Sequence, residues 1–314
     1  MTSPQSVSTP PRVSTRAAAP LRPLQGVRIL SLALNLPGPA ALMRCRQMGA
    51  TCAKLEPPPH PSAPKGTPGD PMGLYNLDAY QVMHQGVKTA TVDLKTDRGQ
   101  KVLHKQLART DVLLTSFRPS ALAKLGLEWK ALHRQYPALS MVVIVGAPGA
   151  RSEEPGHDLT YLAENGLVNG LDLPPTLYAD MGGSLMASEA VLQARLLQLQ
   201  KGKGVRLEVA LSEAAGYLAL PRTWGLTRPG AAVGGGHAGY KVYPCKDGRV
   251  AVAALEPHFA KSLATEAALQ KSHIMAMFAP ESHAAIAAFL AGKTRAELDA
   301  LGAAKDIPLY TLPK

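Results

Sequence analysis

Three short segments carry side chains able to move protons or attack a carbonyl. His157 sits in Gly156-His157-Asp158, Asp180 in Tyr178-Ala179-Asp180-Met181-Gly182-Gly183, and Glu256 in Leu255-Glu256-Pro257-His258-Phe259. A histidine titrates near neutrality, and a carboxylate serves as acid, base or nucleophile according to its surroundings. Each residue also has an ordinary use, since Asp before a helix is a common N-cap and Glu before Pro commonly ends an element. What they share is position. The patterns around them put all three at strand ends or helix starts, where α/β folds gather ligands.

Other chemistries are excluded by what is missing. There is no Gly-x-Ser-x-Gly elbow and no Gly-x-x-x-x-Gly-Lys-Ser/Thr loop. The nine histidines form no metal-ligand pair at helical spacing, and Cys45, Cys52 and Cys245 show no Cys-x-x-Cys spacing. Neither a metal site nor a disulfide framework is expected. A Gly-x-Gly-x-x-Gly does occur at Gly234–Gly239, but late in the chain rather than between a first strand and its helix. That placement argues against a dinucleotide fingerprint and predicts a mobile loop over a ligand.

The elements that must position these residues are legible from periodicity. Val27–Leu34, Ala50–Leu55, Thr89–Leu94, Asp111–Ser116, Leu139–Val145 and Val205–Val209 read as strands, mostly apolar. Helical stretches alternate with them: Pro39 to Gly49, one through Ala108 capped by Thr96 or Asp97, Trp129–Tyr136, Thr160–Val168 and Ser184–Gln200. Strands apolar on both faces and alternating with helices predict a doubly wound, Rossmann-like parallel sheet in a large α/β domain. After Leu220 the texture changes to a Gly-rich loop, then two β-rich runs, Tyr240–Tyr243 and Arg249–Ala254, joined at Lys246-Asp247-Gly248. The rest, to Lys314, is Ala-rich and reads as helix. The expected organisation is a flexible tail over 1–23, a large domain over 24–215 and a smaller α+β domain over 216–314.

With 34 Lys+Arg against 23 Asp+Glu, the 314-residue chain carries a formal charge of +11. Such an excess suits nucleic acid, an anionic membrane or a phosphorylated ligand. The cations are scattered without a block, and four Phe, two Trp and nine Tyr offer few stacking platforms, so nucleic acid is disfavoured. No run of 18 apolar residues occurs, so no membrane partner is expected, and the compartment read from the cysteines is reducing and cytoplasmic.

The order of motifs is similar to that of the class III CoA-transferase family. The resemblance starts at Leu24-Gln25-Gly26-Val27-Arg28-Ile29-Leu30, Gly38-Pro39 and Gly49-Ala50 through Lys54-Leu55-Glu56. It continues through Val92-Asp93-Leu94-Lys95, Phe117-Arg118-Pro119 and Leu125-Gly126-Leu127. Gly156-His157-Asp158-Leu159-Thr160-Tyr161, Asp180-Met181-Gly182-Gly183, the Gly-rich loop and Cys245-Lys246-Asp247-Gly248 complete it. Two substitutions stand out: His84-Gln85 where the family usually has Asn-Arg, and Ser116 and Ser120 where it has Asn and Gly around Phe-Arg-Pro.

The resemblance implies a CoA thioester as substrate, no prosthetic group, and a homodimer with interlocked chains. It places Asp180 at the family's nucleophilic Asp. His157 and Glu256 match the two further residues of the α-methylacyl-CoA racemase branch, where a His and carboxylates act on opposite sides of the α-carbon. CoA is then expected near Leu36, Pro37, Leu94, Lys95, Ser116, Phe117 and Arg118, with Arg118, Lys124 and Lys88 as phosphate contacts. Tyr161, Gly235 and Gly236 complete the expected ligand contacts, and the backbone N–H groups of Asp180 and Met181 are expected to hold an enolate oxygen. The implied reaction is racemisation of a 2-methylacyl-CoA through an enolate. A CoA-transferase with Asp180 as nucleophile and a catalytically silent acyl-CoA-binding paralogue are the alternatives.

Overall fold

The structure, a computed structural model, describes residues 21–314; most of the expected N-terminal tail lies outside the described residues. The backbone divides into two compact units, one ending at Ala215 and one spanning Gly216–Lys314.

The first unit is built on six strands: β1 (Arg28–Ser31), β2 (Thr51–Glu56), β3 (Lys88–Thr91), β4 (Val112–Thr115), β5 (Ser140–Val145) and β6 (Arg206–Ala210). They pair in the order β3-β2-β1-β4-β5-β6, every pair parallel. The connecting helices are α1 (Pro37–Gln47), α2 (Met72–Tyr75), α3 (Leu77–His84), α4 (Asp97–Leu107), α5 (Pro119–Lys124), α6 (Trp129–Gln135), α7 (Asp158–Glu164) and α8 (Tyr178–Lys201). Alternation along the strands explains the two layers. Ile29, Val112, Leu114, Val142 and Ile144 pack with residues of α1 and α8. Their neighbours Leu30, Leu113, Met141 and Val143 face the other way, toward Leu103, Leu107, Leu122 and Leu132. The strand order reverses between β1 and β4, and a ligand crevice belongs at the C-terminal ends of those two strands.

Two elements differ from the sequence reading. α8 begins at Tyr178, six residues before the expected start at Ser184. Gly183 is helical and lacks a Cβ for a packing reason: a Cβ there would lie 2.2 Å from Leu211 Cδ2. β3 stops at Thr91 because Asp93 forms a turn, its Oδ1 accepting from Lys95 N–H at 3.0 Å. All four β3 residues are exposed, as an edge strand allows.

α9 (Leu211–Leu218) leads out of the first unit, and α10 (Leu220–Thr223), α11 (Pro257–Glu266), α12 (Pro280–Ala291) and α13 (Arg295–Lys305) follow. The second unit holds the antiparallel hairpin β7 (Tyr240–Cys245) and β8 (Gly248–Ala253), with β9 (Leu309–Leu312) antiparallel on β8. β9 interrupts the stretch expected to be helix alone. Its four residues follow α13 too closely for periodicity to single them out. Tyr243, Val250 and Val252 bury one face of this sheet against Leu263, Ile286, Leu290 and Leu298.

Candidate active site

Asp180 lies in the first turn of α8, where the helix dipole favours a negative charge. Asp158, the first residue of α7, is buried and accepts the Asp180 backbone N–H on its Oδ1 at 3.0 Å. That bond locks the starts of α7 and α8 together. It also brings two carboxyl groups into one poorly solvated place. Burial first, and the Asp158 carboxylate second, push the Asp180 pKa up to about 6, against a lowering contribution from His157.

His157 caps α7 and is exposed. Thr160 Oγ1 accepts its backbone N–H at 3.1 Å and donates back to its carbonyl at 2.7 Å, which fixes the backbone of the cap. The ring Nδ1 stands 2.6 Å from the Gly156 carbonyl. A carbonyl only accepts, so the proton is assigned to Nδ1 and the Nε2 lone pair is left available. His157 and Asp180 thus set an imidazole whose Nε2 is uncommitted beside a carboxyl group that is partly protonated near pH 6.

The expected oxyanion donors are corrected by the geometry. The Asp180 N–H is already given to Asp158, and the Met181 N–H closes the first α8 turn on the Leu177 carbonyl at 3.0 Å. Because α8 starts before Ser184, these groups lie inside the helix rather than ahead of it. Asp158 is the residue sequence reasoning passed over. Its signal was present, a second acid directly after His157.

Tyr161 is buried at 6% exposure, and its ring fills the space over two glycines. A Cβ on Gly146 or Gly156 would stand 2.1 or 2.5 Å from the Tyr161 hydroxyl oxygen. Burial raises the Tyr161 pKa, with Asp180 adding to the rise and Arg118 opposing it, so both charges act in its neighbourhood.

Most of the expected CoA residues gather at the C-terminal edge of the sheet. Leu36 caps α1 and Pro37 opens it. Ser116 Oγ accepts the Leu34 N–H at 3.2 Å, tying the end of β1 to the end of β4 across the switch point. Phe117 follows, and Arg118 is exposed at the start of α5. Leu94 accepts from Gln100 Nε2 at 2.6 Å, and Lys95 is exposed in the turn before α4. Lys124 ends α5. Arg118 and Lys124 both help hold the Glu153 pKa down, behind the Ser120 hydrogen bonds to that carboxylate, so an acid already shares their field. Lys88 stands apart: it opens β3 and pairs with Ala53, while the C-terminal end of that ladder is Glu56 with Thr91.

In the second unit, Glu256 caps α11, separated from the end of β8 by Ala254 and Leu255, and is exposed. Gly235 has φ 87° in a tightly folded loop. A Cβ on Gly234 would meet the Arg228 carbonyl oxygen at 1.9 Å, and one on Gly236 the Gly230 carbonyl oxygen at 2.1 Å. The glycines are therefore required by the loop's own close backbone contacts. Gly235, with Val233, Tyr240, Val242, Ala251 and Tyr310, lines an apolar cavity of about 660 Å³, a volume within the range of small-ligand sites.

A doubly wound parallel sheet with a carboxyl–imidazole pair at two helix starts defines an α/β enzyme of the ligand-at-the-strand-ends type. The chain belongs to CoA-transferase family III, which it matches over residues 24–312. It is 29% identical to human α-methylacyl-CoA racemase over 296 residues, 87% of this chain and 73% of the relative. Succinyl-CoA–D-citramalate CoA-transferase of Chloroflexus aurantiacus is 32% identical over 217 residues, 64% of this chain and 52% of that one. A hypothetical protein of Mycobacterium tuberculosis shares the fold, with a TM-score of 0.77 and 24% identity, covering 94% of this chain and 86% of its own. The family supports an enzyme acting on CoA thioesters. No helix among the described residues is long and apolar enough to cross a membrane.

Proposed function

We propose that the protein racemises 2-methylacyl-CoA thioesters by moving the α-proton between His157 and Asp180. The observation that carries this reading is the pairing of an available imidazole lone pair with a carboxyl group whose pKa stands near 6. His157 Nε2 takes the α-proton and becomes imidazolium. The C–H electron pair moves into the thioester carbonyl, giving an enolate. Asp180, protonated, returns a proton to the opposite face of the α-carbon and becomes carboxylate. The reverse direction exchanges the roles, and Asp180, its pKa raised to about 6, can serve as acid or base near neutrality, as general acid–base catalysis favours. With the Asp180 and Met181 N–H groups occupied, the N–H groups of Tyr178 and Ala179 are the first-turn donors of α8 left for the enolate oxygen. Glu256 is assigned an auxiliary acid–base role, and the CoA handle is assigned to the strand-end residues Leu36, Pro37, Leu94, Lys95, Ser116, Phe117 and Arg118.

Incubating a single enantiomer of a 2-methylacyl-CoA in deuterated water tests the assignment. Deuterium entering the α-position together with loss of optical purity is expected. CoA transfer to an added free acid without exchange would instead establish the second reading, in which Asp180 attacks the thioester as nucleophile; the citramalate CoA-transferase similarity favours that reading. A homodimer is proposed as the working assembly, and its mass in solution by light scattering is the check.

A further inference from the structure

β2 carries two charged residues into the interior. Lys54 is 0% exposed, and Glu56, Asp70 and His84 are buried around it. The Lys54 ammonium donates to Asp70 Oδ2, forms an ion pair with Glu56 Oε1 at 3.1 Å, and faces His84 Nε2 at 2.8 Å. An ammonium has only protons to offer, so His84 Nε2 must present its lone pair. Nδ1 stands 2.7 Å from the Tyr80 carbonyl and therefore carries the ring proton. The imidazole is neutral, and Lys54 has Asp70 and His84 as acceptors with the Glu56 carboxylate as a close counter-charge. Tyr80 closes the cluster, donating its hydroxyl to Glu56 Oε1 at 2.9 Å and stacking on the His84 ring at 4.1 Å between centroids. Glu56, Asp70 and His84 lie close enough together to hold a metal ion, but the Lys54 ammonium sits among them and supplies the positive charge itself.

The cluster has one exit toward the crevice. Asp70 Oδ1 accepts the Asn35 N–H at 2.9 Å and the Met72 N–H at 3.0 Å. Asn35 has φ 65°, a left-handed conformation that costs a non-glycine residue energy and persists only where the surroundings hold it. It immediately precedes Leu36 and Pro37, at the end of β1 where the strand order reverses.

We propose that Lys54 and Asp70 are positioning residues for ligand recognition: Lys54, satisfied by Glu56 and His84, orients Asp70, and Asp70 fixes the Asn35 turn so that Leu36 and Pro37 keep one conformation at the crevice. That the ligand is CoA rests on the function proposed above; the tether does not. A proton on His84 would point N–H at ammonium, so the arrangement requires the unprotonated ring. Of the charged groups facing it, Lys54 disfavours that proton together with burial, and Glu56 and Asp70 favour it.

Amide exchange at Asn35 in the ligand-free protein, together with CoA titration and steady-state kinetics, tests this in wild type, Asp70→Ala, Asp70→Asn and His84→Asn. Asp70→Ala is expected to lower protection at Asn35 about tenfold, with β5 unchanged, and to raise the CoA Kd and the KM about tenfold with kcat within about twofold. Asp70→Asn, which keeps an oxygen acceptor for the Asn35 and Met72 N–H groups, restores most of that loss. Wild type should weaken for CoA as the pH falls from neutrality into the acid range where His84 takes up its proton, and His84→Asn, whose amide oxygen can accept from Lys54, should not. Wild-type protection at Asn35 in Asp70→Ala overturns the proposal, and so does a loss spread evenly over the sheet. If Asp70→Ala does not fold, an unaltered pH dependence in His84→Asn overturns it. A wild-type protein that binds no CoA sinks the proposed function, while exchange at Asn35 still decides the tether.

Discussion

Two groups of buried or half-buried carboxylates sit in the same unit, and they are treated in opposite ways. Glu56 and Asp70 touch an ammonium, and their remaining oxygen capacity goes to Tyr80, Asn35 and Met72. Asp180 has a second carboxylate, Asp158, for a neighbour and the exposed His157 ring as the one influence that lowers its pKa. Full compensation fixes a structure; incomplete compensation leaves a proton poised to move. The first arrangement suits positioning and the second suits catalysis.

Breaking the poised side should have the largest effect. Asp180→Ala is expected to reduce turnover at least about a thousandfold while leaving the fold intact, measured as exchange or transfer kinetics beside a melting curve. The next effect lies in the compensated cluster. Lys54→Met leaves two carboxylates buried without their cation, and a loss of about 3–5 kcal/mol of unfolding free energy is expected from denaturant titration. Replacing Asp180 by Asn should do the reverse. The folded-state pKa of Asp180 is raised, so the ionised form opposes folding, and stability declines as the pH rises from about 4 through about 6. Asp180→Asn should therefore stabilise the protein at pH 7 by on the order of 1–2 kcal/mol, and the gain should vanish near pH 4.

His84 sharpens the comparison from the other end. Its folded-state pKa lies below the usual histidine value, so its contribution is complete above about pH 6.5 and is lost as the pH falls toward the folded pKa. Melting temperatures of wild type and His84→Asn should diverge at pH 7 to 5 in favour of the variant. The smallest effect belongs to the exposed ion pair Arg206–Glu208, at 2.7 Å on β6. Replacing either partner by Gln should change stability by less than about 1 kcal/mol.

Much of the first unit was legible because β4 and β5 are apolar on both faces and Thr96 announces α4, its Oγ1 accepting from Gly99 N–H at 3.1 Å. What escaped was decided by tertiary contact. The start of α8 depends on Leu211 lying against Gly183, a partner 28 positions away that no local pattern reveals. The edge β9 depends on pairing with β8. In the site, His157 and Asp180 were readable from residue type and motif order, whereas their chemical state was not. The Asp158 bond to the Asp180 N–H and the burial that raises Asp180 exist only once α7 and α8 meet. The charged residues of β2 were visible as an oddity in a strand, and only the fold supplies Asp70 and His84 beside them.

The +11 charge is a similar case. It led to a phosphorylated ligand, yet Lys54 is buried in a cluster, Lys88 opens an edge strand, and Arg118 and Lys124 share their surroundings with Glu153. Where a cation sits and what already pairs with it count for more than the total.

The ring of Tyr161 against Gly146 and Gly156 has an implication for how this sequence can drift. A methyl group at either glycine collides with the tyrosine hydroxyl, so neither position can gain a side chain while the tyrosine remains. Shortening Tyr161 first would empty buried volume beside the start of α7 before anything fills it. The end of β5, the turn before His157 and the first helical turn after it are thereby bound into a single mutational unit, whose members can be exchanged only in concert.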